Sequence, residues 1–147
     1  MGGAELARWS DVEGHLRATG RPFRPFSDDS GAGVRFLYPH RSGPMLFGLR
    51  PVAFPGGRQW LGITVPVCEA PRLKLRGALL ANTELPIGGL ATFGDHVVLR
   101  QIVPLEGLRV AALEAAFRAL ADTAAELRVA AASTDGGADV PYAYAFR

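Results

Sequence analysis

The chain has 147 residues, of which 48% are hydrophobic, 20% charged and 9% aromatic. This length suits one domain with a single buried core, and the composition excludes a collagen-like chain, a disulfide-rich scaffold and a wholly disordered protein. Lys and Arg number 16 against 14 Asp and Glu, and the cations are scattered without a basic run interleaved with aromatic residues, so nucleic-acid binding is not favoured. No apolar run approaches the ~18 residues that a membrane helix needs, so we expect no membrane partner.

The cysteine content and the first residues bear on the cellular compartment. Cys68 is the single cysteine of the chain, which excludes an intramolecular disulfide and a Cys-rich zinc site. Residues 1–5 carry neither the basic nor the apolar segment of a secretion signal. We therefore expect a reducing, cytoplasmic location.

The first half of the chain predicts a helix followed by a meander of strands. Apolar residues recur at three- and four-residue steps over residues 4–18, which predicts a helix. Residues 21–33 are rich in proline, aspartate and glycine and are predicted to form a loop. Three runs then alternate with period two, at residues 34–38, 45–49 and 61–67, and turn residues at 41–44 and 55–57 separate them. This pattern is typical of an antiparallel meander.

The second half predicts two further helices around a hairpin. The period changes after Glu69 to that of a helix, which ends at residues 85–89. Residues 90–93 and 96–103 are predicted to form a hairpin with Gly94 and Asp95 at its tip. The last helix, at about residues 105–131, has one apolar face: Leu113, Phe117, Leu120, Ala124 and Leu127. The predicted fold class is therefore α+β, an antiparallel sheet with helices in the order α-β-β-β-α-β-β-α.

The domain organisation follows from a change in composition near residue 133. Residues 1–132 are predicted to form a single α+β domain. The stretch from Ser133 to Asp139 has the composition of a linker, and residues 133–147 are therefore predicted to be a linker and a C-terminal tail.

Motifs between about Trp60 and Arg128 carry a resemblance to a known family. They are Leu-Leu-Ala-Asn at 79–82, Leu-Pro-Ile-Gly at 85–88, Val-Val-Leu-Arg at 97–100, and Pro104-Leu105 before the Ala-rich last helix. With the order of elements, these motifs resemble the type III secretion chaperone-like family, including the YbjN-like bacterial proteins. The first 55 residues match by element order alone.

The resemblance implies a type III secretion chaperone-like fold and a small cytoplasmic homodimer that binds other proteins and catalyses nothing. In secretion chaperones, the partner is an extended segment of an effector laid over hydrophobic patches. This chain departs from that pattern in two ways. Secretion chaperones tend to be acidic, whereas the formal charge here is +2, and the tail after Ser133 lies outside the shared pattern.

The residue types that carry catalysis or bind metals do not form a recognisable motif in this sequence. The three histidines, His15, His40 and His96, lack metal-ligand spacing and are predicted to be solvated or capping residues. Asp28 and Asp29 lie in a Gly/Ser-rich loop, where such residues typically make turn hydrogen bonds. Neither a phosphate-binding loop nor a nucleophile elbow is present. The sequence therefore predicts no enzyme, no cofactor and no metal.

The middle helix and its neighbouring segment carry more apolar residues than one buried stripe requires. These candidate interface residues are Leu73, Leu75, Leu79, Leu80, Leu85 and Ile87. We expect one side of this helix to pack on the sheet and the other side to face a second copy of the chain. The alternative is that all six lie in the core of a monomer.

The tail has an apolar face with period two, formed by Val140, Tyr142, Tyr144 and Phe146. We expect it to dock as a strand on a sheet edge of its own protomer, of its twin or of a partner, because an edge strand offers unpaired backbone groups. The alternative is a frayed end without a fixed position.

The function predicted from these features is that of a non-catalytic, chaperone-like protein-binding module. It would act as a homodimer and hold a partner polypeptide, an unidentified protein or extended peptide segment. The alternative is a small-molecule-binding or sensory regulatory domain of the YbjN-like type, with its ligand in the cleft between the sheet and the helices.

Overall fold

A computed structural model describes residues 4–29, 31–133 and 139–147. These residues form three α-helices and one antiparallel sheet of six strands in the order β1-β2-β3-β4-β6-β5. The helices are α1 (Trp9–Ala18), α2 (Leu75–Glu84) and α3 (Val110–Ala132), and the strands are β1 (Phe23–Asp28), β2 (Gly31–Tyr38), β3 (Met45–Ala53), β4 (Gln59–Glu69), β5 (Gly89–Phe93) and β6 (His96–Pro104). Two short 3-10 helices are η1 (Ala70–Arg72) and η2 (Ala143–Ala145). The predicted α+β class with an antiparallel sheet is confirmed.

The prediction of a loop over residues 21–33 is wrong, because this segment contributes an additional strand. β1 pairs with β2 from Phe23 opposite Phe36 to Asp28 opposite Gly31. Four strands, not three, therefore precede α2. β1 is an edge strand bonded on one side, so a proline such as Pro25 can lie in it without removing a ladder hydrogen bond when its nitrogen is on the free side. The composition of a loop and of an edge strand can thus be the same.

Two predicted helices begin later than their apolar patterns suggest. α1 begins at Trp9 and α3 at Val110. The segments before them pair with each other instead: the Leu6 N–H donates to the Leu108 carbonyl at 2.6 Å, and the Val110 N–H donates to the Ala4 carbonyl at 3.1 Å. The two helices therefore start side by side, held by backbone bonds between residues far apart in sequence.

The core lies between one face of the sheet and helices α1 and α3. The predicted apolar face of α3 is confirmed, since all five of its residues are fully buried: Leu113, Phe117, Leu120, Ala124 and Leu127. At the centre, the Phe117 ring lies 5.3 Å from the Phe36 ring and 5.5 Å from the Phe47 ring, measured between centroids. Aromatic contacts at these distances stabilise a core beyond simple burial.

The opposite face of the sheet, called the open face, carries the alternate residues of each strand. Leu37 and Leu46 lie directly opposite each other on β2 and β3, and their exposed fractions are 59% and 41%. An exposed apolar pair on one side of a sheet shows that this face is not covered within the described part of the chain. In those same residues, no helix combines the length and hydropathy needed to cross a bilayer.

Candidate binding surfaces

Helix α2 presents its large apolar side chains to solvent and its small ones to the protein. Gly77, Ala78 and Ala81 are buried. Leu75, Leu79 and Leu80 are 73%, 62% and 54% exposed. An amphipathic helix on a globular protein normally buries its leucines. In this orientation, α2 leaves an apolar patch exposed to solvent. We call these three leucines the α2 surface.

The C-terminal tail explains why the small residues of α2 face inward. A Cβ atom at position 77 would overlap the backbone carbonyl of Tyr144, so a glycine is required where the tail crosses the helix. Ala145 and Phe146 are buried beside it. The Lys74 N–H donates to the Ala145 carbonyl at 2.8 Å. The tail thus occupies the inner side of α2, and the leucines cannot rotate into that space.

The tail packs on the domain, but its form differs from the prediction. Instead of a strand along a sheet edge, residues 143–145 form the turn η2, preceded by Tyr142 with a left-handed φ of 64°. Its ladder contact is a single antiparallel bridge between Leu73 and Phe146. The prediction of a strand is therefore wrong for this segment. Residues 134–138 of the predicted linker lie outside the described residues.

The side chains of the predicted tail face point in different directions as a result of the turn. Val140 and Tyr142 are half-buried and pack against the core. Tyr144 is 41% exposed, and its hydroxyl donates to Glu84 Oε2 at 2.6 Å. The pKa of Tyr144 is raised to about 12, chiefly because the carboxylate accepts this hydrogen bond from the neutral phenol, and further by burial and by the negative charge of Glu84.

The six candidate interface residues divide into two groups of different surroundings. Leu73, Leu85 and Ile87 are half-buried and pack against the core. Leu75, Leu79 and Leu80 form the exposed α2 surface. The sequence identified all six as surplus apolar residues, but it contained no signal that separated the two groups.

The open face carries a row of small and cationic residues that crosses the whole sheet. Successive strand pairs place Arg24, Arg35, Gly48, Thr64, Arg100 and Gly89 opposite one another. Gly48 and Thr64 leave a depression between the longer flanking side chains. Two cavities lie along it, of about 430 and 290 Å³, and together we call them the trough. The predicted cleft between sheet and helices is instead filled by the core.

Arg50 stands in the middle of the trough and joins its two edges. Its guanidinium lies 5.0 Å from the Phe26 ring centroid and 4.9 Å from that of Phe93. It also pairs with Asp28 at 3.1 Å, an ion pair that the prediction of turn hydrogen bonds for this aspartate did not include. Phe26 and Phe93 belong to strands at opposite edges of the sheet. Arg50 therefore links side chains from both edge strands across the open face.

Two of the histidines, which were predicted to be solvated or capping, have largely buried side chains. The His40 side chain is 7% exposed, and its Nε2 lies 2.8 Å from Asp122 Oδ1. The Ser42 N–H donates to His40 Nδ1 at 3.1 Å, and the Ser42 Oγ lies 2.7 Å from the same nitrogen. These are the residue types of a hydrolase triad, but Ser42 sits on an exposed turn outside the trough. Their contacts tie the β2–β3 turn to α3.

His15 and Cys68 complete the set of candidate reactive groups. The His15 Nε2 is buried without a hydrogen-bond partner and lies 3.8 Å from Glu114 Oε1. Burial raises the pKa of the half-buried Cys68 thiol, which opposes formation of the nucleophilic thiolate. Among the described residues, no three His, Cys, Asp or Glu side chains are grouped so that they could hold a metal ion.

Three comparisons with known proteins gave no match. No protein-family model, curated protein or solved structure matches this chain. The resemblance to the type III secretion chaperone-like family stays a prediction.

Proposed function

We propose that the protein is a non-catalytic, chaperone-like protein-binding module that forms a homodimer through the α2 surface and holds a partner polypeptide. Its arrangement would then be that of the type III secretion chaperone-like fold. The observation that carries the proposal is the exposure of Leu75, Leu79 and Leu80, at 73%, 62% and 54%, on a helix that buries glycine and alanine.

The physical argument for a dimer starts from the free energy of the exposed leucines. Burying one leucine side chain stabilises a complex by roughly 1.5–3 kcal/mol relative to leaving it in water. The monomer cannot obtain this gain by rotating α2, because Gly77 already contacts the tail backbone. A second protein surface is therefore the available means of covering these side chains.

A second copy of the chain is the partner that suits this patch best. A twofold axis places the same patch of both protomers in contact. Leucine side chains are uncharged, so the leucines of one protomer can pack against those of the other without electrostatic repulsion. An antiparallel pairing of two α2 helices about Leu79 and Leu80 would set these residues against their counterparts. Specific interfaces bury about 800 Å² per partner, so the contact would also have to include neighbours such as Tyr144, which is 41% exposed.

The surface that supports polypeptide binding lies elsewhere, beside strand β1. A cavity of about 520 Å³ borders the exposed pair Leu37 and Leu46, and its other lining residues include Pro22, Pro25 and Phe26 together with Arg24 and Arg35. Proline, phenylalanine and leucine offer apolar contacts without a demand for specific hydrogen bonds. Such a groove beside an edge strand suits an extended apolar segment.

The experiment that tests the dimer is light scattering on the purified protein at tens of micromolar. We expect twice the chain mass of 15.6 kDa for the native protein and the monomer mass for Leu79→Glu. The matched control is Leu37→Glu, since Leu37 has a similar exposure of 59% but lies on the open face. This control is expected to remain a dimer. A monomeric native protein, or dissociation by Leu37→Glu but not by Leu79→Glu, would refute the proposal.

A further inference from the structure

We infer that the trough on the open face binds a small aromatic organic anion, held by Arg100 and Thr64 and stacked against Phe93. This inference goes beyond polypeptide binding and involves none of the α2 surface. It rests on three features of the trough, namely its shape, its uncompensated charge and its aromatic wall.

The shape of the trough suits a small molecule. The cavities of about 430 and 290 Å³ share Arg50, Thr64 and Phe93 as lining residues, and small-molecule sites generally occupy ~300–1,000 Å³. A Cβ atom at Gly48 would lie 2.7 Å from Thr64 Oγ1. The glycine on β3 therefore keeps the hydroxyl of Thr64 accessible at the floor of the trough.

The same geometry disfavours an extended polypeptide as the occupant. Arg50 lies within about 5.0 Å of the ring centroids of both Phe26 and Phe93, so these side chains cross the trough and divide it into two compartments. A polypeptide needs a continuous path, whereas a compact ligand needs a single compartment. The larger compartment, which contains Arg100, has a volume of about 430 Å³ and can hold such a ligand.

The larger compartment contains one cationic side chain that has no anionic partner among the described residues. Its described lining contains Arg50 and Arg100 and neither aspartate nor glutamate. The charge of Arg50 is compensated by Asp28 at 3.1 Å. Arg100 is exposed and forms no hydrogen bond or ion pair with any residue that the structure describes, and the same holds for the Thr64 hydroxyl. One uncompensated guanidinium predicts a monovalent head group such as a carboxylate or a sulfonate.

The positions of Arg100 and Thr64 allow both to contact the same head group. They are direct cross-strand partners on β6 and β4, and the Cβ atoms of such partners lie ~5 Å apart on one face of a sheet. The guanidinium can donate two hydrogen bonds to an oxyanion, and the threonine hydroxyl can donate a third.

The apolar walls of the compartment indicate the chemical nature of the ligand outside its anionic head group, which we call its body. Phe93 and Val52 line the compartment together with Ala91. One side of the Phe93 ring already contacts the Arg50 guanidinium at 4.9 Å. An aromatic body can stack in the remaining space while its head group reaches Arg100, and an inorganic anion would leave these walls in contact with water.

The test uses two probes that share one ring system, anilinonaphthalene sulfonate and the uncharged phenylnaphthylamine, in fluorescence titrations of the full chain. We expect the sulfonate to bind with a Kd on the order of tens of micromolar. Arg100→Gln should weaken it about tenfold and Thr64→Val about threefold, since each removes donors to a charged acceptor. Phenylnaphthylamine should bind more weakly than the sulfonate to the native protein and equally to native and Arg100→Gln protein.

Two control variants separate the trough from other surfaces. Arg118→Gln removes an exposed arginine from α3, on the other side of the sheet, and should leave the sulfonate Kd unchanged. Leu79→Glu disrupts the α2 surface and should also leave the sulfonate Kd unchanged. The inference is refuted if the sulfonate does not bind, if Arg100→Gln and Arg118→Gln have equal effects, or if Leu79→Glu is the variant that abolishes binding. None of these results depends on whether the protein dimerises.

Discussion

The side chain of Asn82 pairs with the backbone of Leu90 as a neighbouring strand would. Its Oδ1 accepts from the Leu90 N–H at 2.6 Å, and its Nδ2 donates to the Leu90 carbonyl at 3.3 Å. Leu90 lies on β5, an edge strand of the sheet, where unpaired backbone groups would otherwise invite association. The two bonds hold α2 against β5. They also give a structural role to the asparagine of the Leu-Leu-Ala-Asn motif.

Replacing Asn82 tests this relationship. Asn82→Ala leaves two half-buried backbone groups of Leu90 without a partner, so we expect the free energy of unfolding to fall by about 1–2 kcal/mol. Thr83→Ala is the matched control, because its exposed hydroxyl bonds only within the helix, to the Leu80 carbonyl at 2.7 Å. It should cost less than ~0.5 kcal/mol. Equal losses for the two variants in urea denaturation would show that the Asn82 bonds contribute nothing.

Two helical glycines should respond to alanine with opposite signs. Gly14, in α1, has no atom within 4 Å of where a Cβ would lie, whereas a Cβ at Gly77 would overlap the Tyr144 carbonyl. Gly14→Ala should therefore stabilise the protein by about 0.5–1 kcal/mol through helix propensity. Gly77→Ala should destabilise it by about 1–3 kcal/mol because the tail must shift. Thermal or urea unfolding measures both, and stabilisation by Gly77→Ala would mean that the tail does not occupy the inner side of α2.

The contact between Tyr144 and Glu84 predicts a pH dependence. The hydrogen bond raises the pKa of Tyr144 from its ordinary value of about 10 to about 12. The fold thus favours the neutral phenol, so this stabilisation is fully present below about pH 10 and is lost as the pH rises through about 12. Because Tyr144 is exposed, solvent screening should keep its contribution below ~1 kcal/mol.

Tyrosinate absorbance measures this effect directly in the native protein, which has three tyrosines. Tyr144→Phe should remove the titration step near pH 12. Glu84→Gln keeps an acceptor but removes the carboxylate charge, so it should move that step toward the ordinary tyrosine range. An unchanged step in both variants would assign it to another tyrosine and contradict the contact.

Local patterns predicted the elements whose defining backbone hydrogen bonds are local. The apolar face of α3 was identified residue by residue because a helix with one buried stripe repeats every three or four residues. The β5–β6 hairpin was identified because Gly94 and Asp95 supply a tight turn between two short apolar runs. In both cases, the interactions that define the element join residues close together in the sequence.

The elements that were missed depend on partners far away in sequence. β1 has the composition of a loop and becomes a strand because β2 lies beside it. The starts of α1 and α3 are set by bonds between residues 4–6 and 108–110. A sequence pattern read within a short window contains neither partner, so it placed these boundaries by propensity alone.

By itself, the sequence determined an α+β domain with an antiparallel sheet, and it identified a surplus of leucines around the middle helix. The tertiary structure decided which of them face outward, because the tail crosses α2 at Gly77. It also decided that Arg50 contacts Phe26 and Phe93, which belong to strands at opposite edges of the sheet. The spacing of apolar residues shows that a helix or strand has two faces. Which face is buried depends on how segments distant in sequence pack together.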